Sequence, residues 1–295
     1  MDYSIFFETS SDRRKRYVSE VHDYHNDAVL LGYWSDERAR KEIETERLLQ
    51  AFANEELPFQ KLDRYASLLA KPVQLTRNLD GFLHHGDIIR LKWSHQNETL
   101  YLAALPQNIA TDGTFDEPCW VTASADSRIM ARNSVYIFRN SNFVPNHVPL
   151  TYGEMIIICT VDEAGHRLLN GEPKNFTAFA QKSGHMEVTF VKELSGRGLW
   201  RIFCTHKDDR LKTEGQFIPC NTDVIIHHVA SGQNLAVERK TEIKTVLGYE
   251  REISVHSYIN RCKTDDEPNI WRIEAPFIKP EDYGEPIKLT CNKKL

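Results

Sequence analysis

An internal repeat is the sequence feature that most constrains the fold. Three segments each place an acidic residue (Asp87, Glu154 and Asp223) after a turn and before a short apolar strand. The acidic positions are 67 and 69 residues apart (87 to 154 and 154 to 223), and a second apolar strand follows each one. Units that each expose an apolar face must stack to bury it. The repeat therefore predicts a mainly β protein built from three units.

A tryptophan strand closes each predicted unit. Trp120, Trp200 and Trp271 are 80 and 71 residues apart (120 to 200 and 200 to 271), so extra loop is expected in the first interval. Aromatic residues that recur once per repeat fill the space that the symmetry creates, which makes these three predicted core residues rather than ligand platforms. Closing three units around an axis removes free strand edges. The pattern predicts a β-trefoil.

The chain changes character near residue 72. Ser35 can cap a helix, no Gly or Pro follows it before Pro58, and alternating strand patterns begin only after Pro72. The predicted fold is thus a β-trefoil of three internal repeats preceded by an N-terminal helical arm. Its domains are an extended tail over 1–34, the arm over 35–71, the trefoil over 72–278 with units of about 72–138, 139–207 and 208–278, and a C-terminal tail over 279–295.

The helical arm is a candidate partner-binding element. Its first helix has only a narrow apolar stripe amid dense mixed charge, so it is weakly held by its own chain. Tyr33 and Trp34 would anchor the arm on a partner, because aromatic residues dominate interface energetics. The alternative is that Trp34 folds back onto the trefoil. A second candidate is the basic run Arg13, Arg14, Lys15 and Arg16, which is either a solvated tail or a docking arm for an acidic surface.

Charge and hydropathy exclude several classes of function. A net charge of −5, from 37 Lys+Arg and 42 Asp+Glu, argues against a nucleic-acid-binding protein. Purely apolar runs such as Met155–Cys159 are far short of the roughly 20 residues that a membrane helix requires. The N-terminus lacks a signal-peptide core, and the six cysteines form no C-x-x-C pair. We therefore expect a protein of the cytoplasm with free thiols and no membrane span.

The search for chemistry finds no enzyme motif. Phosphate-loop, dinucleotide-binding and nucleophile-elbow patterns are all missing from the sequence. The best metal candidate is Cys204 with His206, beside Asp208 and Asp209, but two ligands do not make a site and a strand end with a polar turn explains them. The pairs His84-His85 and His227-His228 lack metal-site spacing. No enzyme activity, metal or cofactor is expected.

Several short motifs resemble a known family. They are Pro72–Leu75, Asp80–Asp87 and Arg132–Ser134, with Gly32–Glu37 upstream and Asn221–His228 and Asn269–Trp271 downstream. In this order they resemble the cilia- and flagella-associated protein 161 family over about residues 31–276. The motif Asp-Gly-x-x-His-x-Gly-Asp is fairly specific when it follows Pro-x-Gln-Leu. Residues 1–30, with the basic run, have no counterpart in the family.

The resemblance implies a structural role. It implies a microtubule inner protein of motile cilia and flagella whose fold resembles MIR-type β-trefoils, and it implies no enzyme activity. The implied partners are tubulin, at the luminal face of the axonemal doublet microtubule, and neighbouring inner proteins. The alternative is a soluble carbohydrate- or ligand-binding trefoil, because fold alone does not fix function. Such a protein would repeat an aromatic–polar pocket in at least two units, and the second strands differ too much for that.

Overall fold

The computed structural model describes residues 34–109, 114–139, 148–173 and 182–276. Contacts divide the chain into two compact regions, with the boundary between Asp63 and Arg64. Helix α1 spans Trp34–Ala53 and helix α2 spans Pro58–Leu69, so the boundary falls within α2. None of the helices in these ranges has the length and apolar character needed to cross a membrane.

Twelve strands follow in the described part of the chain, and all their pairings are antiparallel. They are β1 (Asp87–His95), β2 (Glu98–Pro106), β3 (Cys119–Ser124), β4 (Val135–Arg139), β5 (Met155–Thr160), β6 (Leu168–Glu172), β7 (Met186–Val191), β8 (Trp200–Cys204), β9 (Asp223–His228), β10 (Gln233–Thr245), β11 (Gly248–Val255) and β12 (Ile270–Glu274). A one-turn helix, α3 (Arg210–Thr213), lies between β8 and β9.

The strands pair into a closed barrel. Strands β1, β4, β5, β8, β9 and β12 each pair with the next in this order, and β12 pairs again with β1. The other six form the hairpins β2–β3, β6–β7 and β10–β11, whose second strands pair with one another. A closed ring leaves no long free edge for another chain to extend. The protein is therefore mainly β, as the sequence predicts, with N-terminal helices.

Three fully buried residues close one end of the barrel. The N–H of Leu83 donates to the carbonyl of Ile218 (2.9 Å), that of Ile218 to Leu150 (3.0 Å), and that of Leu150 to Leu83 (2.8 Å). All three side chains have no exposed surface. The cycle satisfies three backbone donors and three acceptors that would otherwise be buried without partners. We call these three residues the base triad.

A residue with positive φ lies three positions after each member of the base triad. These residues are Gly86 (φ 92°), Gly153 (φ 81°) and Asn221 (φ 57°), and a strand begins shortly after each of them. Their N–H groups donate in turn to the carbonyls of Ile137, Ile202 and Ile273, at 2.8, 2.9 and 3.0 Å. By this register Thr222, rather than Asp223, occupies the position of Asp87 and Glu154. The sequence alignment of the third segment was therefore displaced by one residue.

The tryptophans occupy different environments. Trp200 and Trp271 are fully buried, and their indole N–H groups donate to the carbonyls of Leu169 (2.9 Å) and Leu235 (3.0 Å). Trp120 is only half-buried, because it lies on hairpin strand β3 opposite Thr189 of β7.

The strand that closes the first segment is β4, not the Trp120 strand. Val135 pairs with Ile89 in the same way that Trp200 pairs with Ile156 and Trp271 with Val224. Val135 is buried and lies 65 residues before Trp200 (135 to 200), so no extra loop is needed to explain the first interval. The third fully buried tryptophan of the described residues is Trp93, on β1.

The last turns of α2 belong with the barrel. The Tyr65 hydroxyl donates to the carbonyl of Pro106 (2.6 Å), Leu69 is 1% exposed, and the carbonyl of Lys71 accepts the N–H of Ala131 (2.8 Å). The sequence placed the end of the arm at Lys71, where the strand pattern begins. Contacts place the boundary before Arg64, because α2 is held at its C-terminal end.

Candidate partner-binding arm and family motif

Helix α1 is stabilised mainly by local interactions. The ion pairs Glu37–Lys41 (2.9 Å) and Arg38–Glu42 (3.1 Å) join residues four apart on well-exposed side chains. Such pairs contribute only about 0.3–0.5 kcal/mol each. Every residue from Glu37 to Gln50 is exposed, so this part of α1 buries no apolar face.

Gln60 fixes the turn between α1 and α2. Its side-chain amide donates to the carbonyl of Phe52 (3.0 Å), and its side-chain oxygen accepts the N–H of Leu57 (3.3 Å). The end of one helix and the start of the next leave backbone groups without intrahelical partners, and Gln60 contacts one such region on each side of the turn. Glu55 completes the turn in the left-handed region, with a φ of 57°. The two helices are thus joined by a defined turn.

An exposed apolar row extends across this turn. Leu48, Leu49 and Phe52 lie within about 100° of one another around α1, at 100° per residue, and are 55–63% exposed. Phe59 (54%) and Leu62 (39%) continue the exposed apolar surface on α2, with the Phe52 and Phe59 rings 6.5 Å apart. We call these five residues the arm row. Ile43, the other large apolar residue of the exposed part of α1, lies about 180° from Phe52 around the helix.

The sequence-predicted anchor residues are not part of the described arm row. Trp34 is the first residue of α1, but its side chain lies outside the description. Tyr33 and the basic run Arg13, Arg14, Lys15 and Arg16 lie outside the described residues altogether. Their binding roles stay predictions. The sequence does contain a signal for the part of the arm row on α2, because Phe59 and Leu62 are three residues apart and follow the helical period.

The family motif builds the turn that leads into β1. Asp87 is 1% exposed, and its Oδ2 accepts hydrogen bonds from the Asn78 side chain (2.6 Å) and the His84 N–H (2.7 Å). The Asp80 Oδ1 accepts the N–H of Phe82 (3.1 Å), and the His84 Nε2 lies 3.0 Å from the other Asp80 oxygen. The motif residues therefore hold one another and their own backbone. These hydrogen bonds give the spacing of the motif residues a structural explanation.

The remaining motif residues are also used structurally. His85 is fully buried, its Nδ1 accepts the N–H of Arg139 (2.7 Å), and its ring packs against Phe138. The Cys220 thiol lies beside this group, with its sulfur 3.7 Å from the Asn78 side-chain amide. Burial raises the pKa of Cys220, so the unreactive thiol form is favoured.

The other histidine and cysteine candidates are not brought together as a metal site. Within the described ranges, no group of three or more His, Cys, Asp or Glu side chains is arranged to hold a metal ion. Near Cys204 and His206, Arg210 donates to the Cys204 carbonyl (3.0 Å) and Asp209 pairs with Lys212 (3.0 Å). These contacts match the polar turn that the sequence favoured.

The pair His227-His228 is likewise held by neighbours. The His227 Nδ1 lies 2.9 Å from the Asn234 side-chain oxygen. His228 donates from Nε2 to the carbonyl of Arg197 (2.7 Å), and its Nδ1 accepts from the Ser231 hydroxyl (2.8 Å). Burial lowers the pKa of His228, which keeps the ring neutral in this arrangement.

Comparisons with known proteins agree on the family. The family model described as "Cilia- and flagella-associated protein 161-like domain" matches residues 69–275. The cilia- and flagella-associated protein 161 of Bos taurus is 25% identical over 258 residues, covering 83% of this chain and 80% of its own length. The protein of the same name from Danio rerio is 24% identical over 260 residues, covering 84% and 86%.

A solved structure supports the fold alone. A Caenorhabditis elegans protein described as of unknown function superposes with a TM-score of 0.51 and 13% identity, covering 66% of this chain and 97% of its own.

The family model spans the barrel and the motif between Asp80 and Asp87, which confirms the resemblance seen in the sequence. The chain therefore belongs to the cilia- and flagella-associated protein 161 family.

Proposed function

We propose that this chain is a structural microtubule inner protein of motile cilia and flagella. It binds the luminal face of tubulin in the axonemal doublet microtubule, contacts neighbouring inner proteins and stabilises the doublet for beating. Its location is the axoneme, as part of the ciliary cytoskeleton. Family membership supports the ciliary association. The arm row is the observation that carries the binding role.

The arm row has the properties of a partner-binding surface. Five large apolar side chains, all 39–63% exposed, are clustered at one helical turn. Burying apolar surface stabilises a complex by roughly 25 cal/mol per Å². The two ion pairs given for α1, Glu37–Lys41 and Arg38–Glu42, are exposed and stabilise the helix only weakly. A partner that covers the arm row would therefore stabilise both the contact and the helix.

We further propose that the barrel is a β-trefoil of three repeats. The cyclic base triad, the three positive-φ residues and the corresponding strand pairings support it. A rigid barrel of this kind presents its surface loops in fixed positions, which suits a packing component. No catalytic role is proposed, because the motif residues and the paired histidines are engaged in structural hydrogen bonds. The relatives also bear names that describe no reaction.

The arm row can be tested by substitution in ciliated cells. Replacing Leu48, Leu49 and Phe52 together by serine removes most of the apolar surface on α1. We expect the variant to fold, because these side chains are exposed, and to be largely lost from isolated axonemes. The matched control is Ile43→Ser, on the opposite side of α1, which should incorporate normally. Normal incorporation of the triple variant would contradict the binding role of the row.

The luminal position needs a separate experiment. Isolated doublet microtubules are washed with the salt and detergent treatments that strip outer components, and the protein is measured in the pellet by immunoblotting. A luminal protein should stay with the doublets. Its release together with the outer components would argue against the proposed location, and micromolar binding on a glycan array would favour the ligand-binding alternative.

A further inference from the structure

A cavity of about 350 Å³ lies in the barrel region, between the end of α2, the segment after β3 and the tip of the β10–β11 hairpin. Its volume is within the range of small-molecule and side-chain pockets. One wall is apolar and is formed by Leu69, Met130 and Leu247, with Ala66 and Ala70. The polar part of the lining, called the polar wall below, includes Ser124, Asp126, Arg128 and Arg132.

Two buried residues of the polar wall each have a hydrogen-bond donor that is not used within the described part of the chain. The Arg132 side chain is 3% exposed; its Nη2 donates to Glu250 (2.8 Å) and its Nε to the carbonyl of Ala104 (3.3 Å). Its Nη1 has no hydrogen-bond partner among the described residues. Ser124 is 5% exposed, and its Oγ accepts the N–H of Asp126 (3.3 Å). Its own O–H likewise has no acceptor in the part of the chain that the structure describes.

The charges around the cavity are already balanced. Glu250 neutralises Arg132, and Asp126 pairs with Arg128 at 2.6 Å. A bound anion would add an uncompensated charge beside two buried residues, which is unfavourable in a low-dielectric site. An uncharged acceptor avoids that penalty and still satisfies the unused donors. The apolar wall then requires a short hydrocarbon next to the acceptor.

We propose that this cavity binds an uncharged amide on a short apolar body, with its carbonyl oxygen accepting from Arg132 Nη1 and the Ser124 hydroxyl. A free small amide offers this chemistry, and so does the glutamine side chain of a partner protein. The proposal is independent of the ciliary role, because the binding can be measured on the purified chain. The Asp80–Asp87 motif and the arm row take no part in it, whereas Arg132 belongs to another segment, Arg132–Ser134, that carries the family resemblance.

The test is a titration of the purified protein with butyramide and, separately, with butyrate. Binding is monitored by NMR through the chemical shifts of the backbone amide groups of the protein. The two probes have nearly the same size and differ in charge. We expect butyramide to shift resonances around the cavity and butyrate to bind at least tenfold more weakly. Equal or tighter binding of butyrate would overturn the choice of an uncharged ligand. A titration with capped glutamine distinguishes the two sources of the amide. Tighter binding of capped glutamine than of butyramide supports a glutamine side chain of a partner protein, and weaker binding supports a free small amide.

Substitutions test the site itself. Ser124→Ala removes one donor and should weaken butyramide binding by about five- to tenfold, the effect of losing a single hydrogen bond. The matched control is Ser134→Ala, which also removes a buried hydroxyl. This hydroxyl has no hydrogen-bond partner among the described residues and is not part of the cavity lining. Equal effects of the two variants would refute the assignment. Ala66→Leu fills the cavity and should abolish binding while the rest of the spectrum is kept; retained binding would place the site elsewhere.

Discussion

At the scale of single residues, Asp87 is the most constrained member of the family motif. Replacing it by alanine removes the acceptor of the His84 N–H and one of the two oxygen acceptors of the Asn78 side-chain amide, which keeps the Phe82 carbonyl (2.7 Å). We expect the free energy of unfolding in urea to fall by about 2–3 kcal/mol. Asp80→Ala in the same motif is the control, since its side chain is 45% exposed, and should lower stability by less than about 1 kcal/mol. Equal losses would show that the motif is not held by Asp87.

His228 gives the barrel a pH dependence. Burial lowers its pKa in the folded state, so the neutral ring is favoured by folding. This stabilisation is complete above the pKa of the unfolded chain, about 6.5, and is lost as the pH falls through the lower folded-state pKa. We expect the free energy of unfolding to decrease from pH 7.5 to pH 5, and to decrease less in His228→Gln. Equal decreases in the parent chain and in His228→Gln would exclude this histidine as the source.

At the scale of strands, the sequence predicted the general pattern better than the register. Trp200 and Trp271 could be recognised because the same Trp-Arg-Ile segment occurs twice. Val135 occupies the corresponding position in the first segment but has no aromatic ring to reveal it, so Trp120 was chosen instead. The alignment of the third segment was wrong by one residue for two reasons. The positive-φ residue there is Asn221 rather than a glycine, and the nearest acidic residue, Asp223, follows one position after the equivalent of Asp87 and Glu154. Only strand pairing resolves both points.

The base triad is the element on which the barrel end depends. Leu150→Ala removes a fully buried side chain from the centre of three meeting segments and leaves a cavity there. We expect a loss of about 2–5 kcal/mol in the free energy of unfolding, measured by urea denaturation, and a similar loss for Leu83→Ala. Leu211→Ala, at a leucine 85% exposed, is the matched control and should change stability by less than about 0.5 kcal/mol. A Leu150 variant as stable as this control would exclude a central role for the triad.

At the scale of the whole molecule, the sequence separated a helical part from a β part, because the apolar period changes from 3.6 to 2 near residue 72. It could not place the boundary between the compact regions, since α2 has one continuous helical pattern. Tertiary contacts decide that boundary: Leu69 packs into the barrel core, while Phe59 on the same helix stays exposed. The arm row was visible only in part, because exposure depends on what the fold leaves uncovered.

The boundary predicts how far the chain can be shortened. Residues 64–295 keep the Tyr65–Pro106 hydrogen bond, buried Leu69 and the Lys71–Ala131 bond, so we expect their urea unfolding to differ from that of the full chain by less than about 1 kcal/mol. Residues 72–295 lose all three contacts and should be less stable by about 2–5 kcal/mol, the range for removing one large buried side chain. If both shortened chains were equally stable, the end of α2 would contribute nothing to the barrel. If the longer one were already unstable, the region before Arg64 would be part of the barrel's folding unit, and the arm could not be the independent binding element proposed for it.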